Sequence, residues 1–118
     1  MPFRILSISY DATLLKTRQH LLEQKGYDVT SAEGFTEAME CCQAGDFDLV
    51  VIGHSIPHKD KEAIFKAVQQ TCSAPVIALS RGTEPPLKGA LDTVDPMNPV
   101  KFLDCVDRVF ASKSKAKA

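Results

Sequence analysis

Hydrophobic positions along the chain switch repeatedly between the two-residue repeat of a strand and the 3.6-residue repeat of a helix, and each switch falls at a short polar or glycine-containing joint. Residues 3–9 read as a strand. Asp11 then stands where an N-cap belongs, ahead of a helix whose Leu14, Leu15, Arg18, Leu21 and Leu22 share one face, with the arginine at its margin and Gly26 at its end. Residues 27–32 form a second, more polar strand suited to a sheet edge. Residues 36–44 follow as a short helix that turns Ala38 and one of Cys41 or Cys42 inward before Gly45.

The next strand differs in kind. Leu49, Val50, Val51 and Ile52 are consecutive apolar residues, the run expected of a central parallel strand covered by helices on both faces. A helix over 59–71 places Ile64, Ala67 and Val68 on one side, and residues 75–79 give another apolar strand. Between 81 and 92, Gly82, Pro85, Pro86 and Gly89 leave room for at most a short helix before Thr93 and Val94 supply a minimal fifth strand. The last helix is capped by Asn98, carries Pro99 in its first turn, and repeats Phe102, Leu103, Val106, Val109 and Phe110 at helical spacing.

Strands alternating with helices predict an α/β fold, a doubly wound five-stranded parallel sheet of order 2-1-3-4-5 with helices on both faces and the fourth helix short or missing. The domain is expected to span 1–111, with 112–118 a flexible basic tail. In that topology ligands and chemistry gather at the carboxyl ends of strands 1, 3 and 4, which here are residues 9–11, 53–58 and 80–82.

Composition narrows the function classes. A chain of 118 residues, 44% hydrophobic and 25% charged, suits one globular domain. A net charge of -1, from 14 basic and 15 acidic residues, provides no field to hold nucleic acid or an anionic membrane, and only the lysines of the tail form a local basic stretch. With no long apolar run and no signal-peptide pattern, the cytoplasm is the expected location. Cys41, Cys42, Cys72 and Cys105 lack the spacing of a zinc or redox site and read as small buried hydrophobes with a bystander.

Four stretches together resemble the receiver domain of two-component response regulators, a flavodoxin-like fold. They are R-I-L-S-I-S-Y-D at the first strand, D-L-V-V-I-G-H-S-I-P at the third, P-V-I-A-L-S at the fourth and D-P-M-N-P before the last helix. The resemblance implies a magnesium site made by an acidic pair after strand 1 and a phosphoacceptor aspartate after strand 3, with a hydroxyl after strand 4 and a lysine after strand 5 on the phosphoryl group. This chain aligns Ser9 and Tyr10 with the acidic pair, Gly53 with the acceptor, and Asp95 with the lysine, while Ser80 keeps the hydroxyl. Glycine has no nucleophile, Ser9 and Tyr10 are not hard carboxylate ligands, and Asp95 would repel a phosphoryl group. Asp11 alone is better explained as a helix cap than as a magnesium ligand.

The segment between strands 4 and 5 is shorter than the resemblance implies by about seven residues, roughly two helical turns. Thr93 or Val94 also stands where the family places the aromatic that reports phosphorylation.

The expected function is therefore a stand-alone pseudo-receiver, not an enzyme, acting as a phosphorylation-independent interaction module. Its expected partners are signalling proteins such as a histidine kinase, a regulator or an output protein, with a homodimer left open, and no cofactor or metal is expected. The alternative is a small-ligand sensor that uses the pocket vacated at Gly53, with Ser9, Tyr10, His54 and Ser80 as polar contacts. Rival chemistries have less support. His54 and His58 lie in a loop with no cysteine or glutamate ligand evident nearby, Ser55 with His58 or Asp60 lacks an oxyanion hole, and the R-G-T turn after strand 4 lacks a phosphate-binding pattern.

Overall fold

The computed structural model describes residues 3–72, 74–80, 89–90, 92–94 and 98–117, with side chains of the last helix described to residue 111. In chain order the elements are β1 (Arg4–Ser9), α1 (Ala12–Gln24), β2 (Asp28–Glu33), α2 (Phe35–Ala44), β3 (Leu49–Ile52), α3 (His58–Thr71), β4 (Val76–Leu79), β5 (Asp92–Val94) and α4 (Pro99–Lys117). The strands β2-β1-β3-β4 lie side by side in parallel, and the three-residue β5 runs along the free edge of β4.

Strand parity distributes the core. Leu6, Ile8, Val50, Ile52, Val76 and Ala78 point to one face, where Ala38 and Cys42 of α2 and Ile64 and Val68 of α3 cover them. Ile5, Leu49, Val51, Ile77 and Leu79 point to the other, beneath Leu22 of α1 and Phe102, Val106 and Phe110 of α4. Each large aliphatic side chain buried in this way contributes about 1.5–3 kcal/mol. All four residues of β3 and all four of β4 are buried, as continuous apolar runs between two helical layers require.

Local signals set the boundaries. The Asp11 carboxylate accepts hydrogen bonds from the amides of Thr13 and Leu14, which fixes the start of α1. Gly26, at φ 91°, supplies the left-handed residue that turns the chain toward β2. Asn98 Oδ1 accepts from the Lys101 amide, so the expected cap before Pro99 is present. Of the paired cysteines, Cys42 is buried and Cys41 only partly so.

Several features depart from the sequence reading. Arg18 is not marginal: it is 6% exposed, between Leu15 and Leu22 on the inward stripe of α1. On α3 the inward face holds Lys61 with Ile64 and Val68, while Ala67 is only partly buried. The backbone of α4 is helical as far as Lys117. The short or missing helix expected between strands 4 and 5 falls mainly on residues 81–88, outside the described residues, as does Asp95.

Candidate functional site

The carboxyl ends of β1, β3 and β4 come together as the topology requires, and parity decides what meets there. Gly53 continues the face of Leu49 and Val51, so it looks toward α1. Its amide donates to the Ile8 carbonyl at 2.8 Å, holding the end of β3 against β1.

A Cβ at Gly53 would stand 2.6 Å from Nη1 of Arg18, 3.0 Å from the Ile8 carbonyl oxygen and 3.3 Å from Cβ of Ser9. The niche beside this glycine is therefore filled by a guanidinium. Its Nη2 lies 2.9 Å from Nδ1 of His54, while Nη1 is buried with no hydrogen-bond partner. Loss of hydration lowers the Arg18 pKa from its ordinary value, and the Asp11 carboxylate works in the opposite direction.

The remaining predicted residues do not line one open pocket. Ser9 is fully buried, with Oγ 2.7 Å from Ser55 Oγ and accepting from the Asp11 amide at 3.1 Å. Tyr10 is 39% exposed, and its phenol donates to Asp60 at 2.8 Å. Asp11 spends its carboxylate on the start of α1. These contacts correct the expectation of a vacated pocket contacted by Ser9, Tyr10, His54 and Ser80.

Lys61 arrives from the opposite side. Its side chain is fully buried, and Nζ donates to the Leu79 carbonyl at 2.8 Å and lies 3.5 Å from Ser80 Oγ. A cation thus reaches the strand 4 hydroxyl from the first turn of α3, whereas the family pattern would bring its lysine from the end of strand 5. Sequence reading passed over Lys61, yet two signals were present. It is spaced three and seven residues before Ile64 and Val68, and a lysine in a first helical turn opposes the helix dipole unless something else holds it.

His54 and His58 diverge, the first toward Arg18 and the second toward Glu62 at 3.2 Å. Among the described residues no cluster of three or more His, Cys, Asp or Glu side chains could hold a metal ion. Ser55 and Asp60 are engaged with Ser9 and Tyr10, so no nucleophile–base pair forms from them.

This arrangement of parallel strands, with β1 between β2 and β3, has close structural counterparts. A response regulator receiver domain protein (CheY-like) from Methanospirillum hungatei superposes with a TM-score of 0.82 over 98% of this chain and 99% of its own, at 21% identity. The fold is that of a CheY-like receiver domain. The chemotaxis protein CheY4 of Vibrio cholerae matches with a TM-score of 0.72 at 24% identity, covering 92% of this chain and 99% of its own. The response regulator TrrA from Thermotoga maritima, solved in complex with Mg(2+)-BeF, matches at 0.78 and 19% identity, covering 91% and 98%. No protein-family profile and no curated protein sequence matches the chain. Among the described residues no helix is long and apolar enough to cross a membrane.

Proposed function

We propose that this receiver-like domain is a pseudo-receiver, a protein-interaction module of a two-component-type pathway that works by binding, without accepting phosphate. The observation that carries the reading is the Arg18 guanidinium packed into the niche beside Gly53. An acceptor carboxylate and a magnesium ion belong at that place in the family, and a buried cation there disfavours a divalent ion by like charge.

The surrounding groups support the same reading. Ser9 and Tyr10 are neutral and committed to Ser55 and Asp60, and Asp11 is a helix cap. Lys61 engages the end of β4 at Leu79 and Ser80, so that strand end is held by an internal side chain rather than waiting for a phosphoryl group. The domain would then present one conformation to its partner regardless of phosphodonor.

Intact-mass measurement after incubation with magnesium and acetyl phosphate should show no adduct. A stoichiometric phosphate on Asp11, Asp60 or Asp95 would overturn the proposal.

A further inference from the structure

Arg18 serves a second space. Besides filling the niche at Gly53 it lines, with His54, a cavity of about 210 Å³ whose other walls include Leu14 and Leu21 of α1, Leu79 at the end of β4, and Pro99 and Phe102 of α4. The walls are mostly aliphatic or aromatic, and Arg18 is the cationic side chain among them. That combination is the usual form of a small-molecule site, a largely apolar cleft with few convergent polar groups.

The electrostatics indicate the sign of the occupant. A guanidinium 94% removed from solvent, with one nitrogen lacking any acceptor and no carboxylate in ion-pair contact among the described residues, holds a charge that Asp11 offsets only in part. An anion beside it would restore what burial removed. An apolar body would at the same time cover Leu79 and Phe102.

Size limits the occupant further. An apolar cavity of about 150 Å³ is enough to admit benzene, so this one suits a single ring or short branched chain bearing one carboxylate.

We propose that the α1–α4 cavity binds a small apolar monocarboxylate, with Arg18 as the carboxylate-binding residue. The carboxylate supplies the acceptor that Nη1 lacks, and it does so by drawing the guanidinium out of the niche at Gly53 through rotation of its terminal torsions. Ligand binding thereby opens the end of β3, which links the cavity to the receiver-like face without any covalent step. The inference does not depend on whether the domain accepts phosphate.

Benzoate is a suitable probe, with isosteric neutral benzamide and inorganic sulfate as controls. In a two-dimensional amide NMR titration of the whole chain, benzoate should shift Gly53, His54, Leu79 and Phe102 saturably, whereas benzamide and sulfate should not. Arg18→Met should weaken benzoate binding at least tenfold, and Leu14→Trp, which narrows the cavity without removing the cation, should weaken it similarly. The second variant keeps the test decisive if the first does not fold. Equal response to benzamide, shifts confined to surface lysines, or benzoate binding unchanged in a folded Arg18→Met would each overturn the proposal.

Discussion

Nη1 of Arg18 stands only 2.6 Å from the Cβ position that Gly53 leaves open, closer than any side-chain atom at residue 53 could tolerate. The two residues are therefore one packing unit. Gly53→Ala forces a methyl group against this nitrogen and against the Ile8 carbonyl at 3.0 Å, and only the arginine can yield cheaply. We expect a loss of about 1–3 kcal/mol, the usual cost of overpacking. Gly53→Asp suffers the same crowding but gains an ion pair with Arg18, so urea denaturation should find it more stable than Gly53→Ala. That advantage should vanish in the Arg18→Met background. Gly53→Asp should remain unphosphorylated, because Ser9 and Tyr10 still provide no magnesium ligands.

Lys61 closes the end of β4 from inside the protein. Lys61→Ala removes a fully buried side chain and leaves the Leu79 carbonyl without its ammonium donor, for an expected loss of about 2–4 kcal/mol. Lys61→Met keeps most of the packing and removes the buried charge, so it should cost much less. Chemical denaturation of the two variants checks the order; equal losses would mean that the packed stem contributes nothing.

Both tyrosines are held in their neutral form. Burial first, and then hydrogen bonding to a carboxylate, raises Tyr10 beside Asp60 and Tyr27 beside Asp107 above the ordinary phenol value of 10.0. The sign follows directly: the folded state favours the protonated phenols, so their stabilisation is complete below about pH 10 and drains away as pH rises past the folded-state values. Ultraviolet titration of the native protein should show little tyrosinate at pH 10 and a step lost in Tyr27→Phe. Half-ionisation of both rings at pH 10 would contradict these contacts.

Cys42 should be nearly inert in the native state. Burial, followed by its hydrogen bond to Cys72 and the charges of the neighbouring thiols, pushes its pKa up to about 12, which suppresses the reactive thiolate at neutral pH. Alkylation with iodoacetamide, read by peptide mass, should modify Cys42 only as fast as the protein opens, with the rate rising steeply in mild urea. Labelling that is insensitive to urea would place the thiol at the surface.

The layered architecture was legible because it rests on local signals. The apolar runs of β3 and β4, the Asp11 and Asn98 caps and the helical spacing of Phe102, Val106 and Phe110 each state their role within a few residues. The helical repeat placed Ala38 and one of Cys41 or Cys42 inward, and the packed phase of α2 settled on Cys42. Position within a stripe was readable too, and it placed Arg18 close to the inward face without showing how deep the side chain lies.

The sequence by itself determined that the chain would form strands and helices in this order, and that residue 53 would lack a side chain at the end of the third strand. Only the tertiary structure decided what fills the space. Arg18 reaches Gly53 because odd-numbered positions of β3 face α1, and Lys61 reaches Leu79 because α3 closes the opposite face; both meetings join residues far apart in the chain. Periodicity reports which face a residue turns to. It does not report which distant side chain occupies a gap, since that depends on the register and separation of elements once they pack.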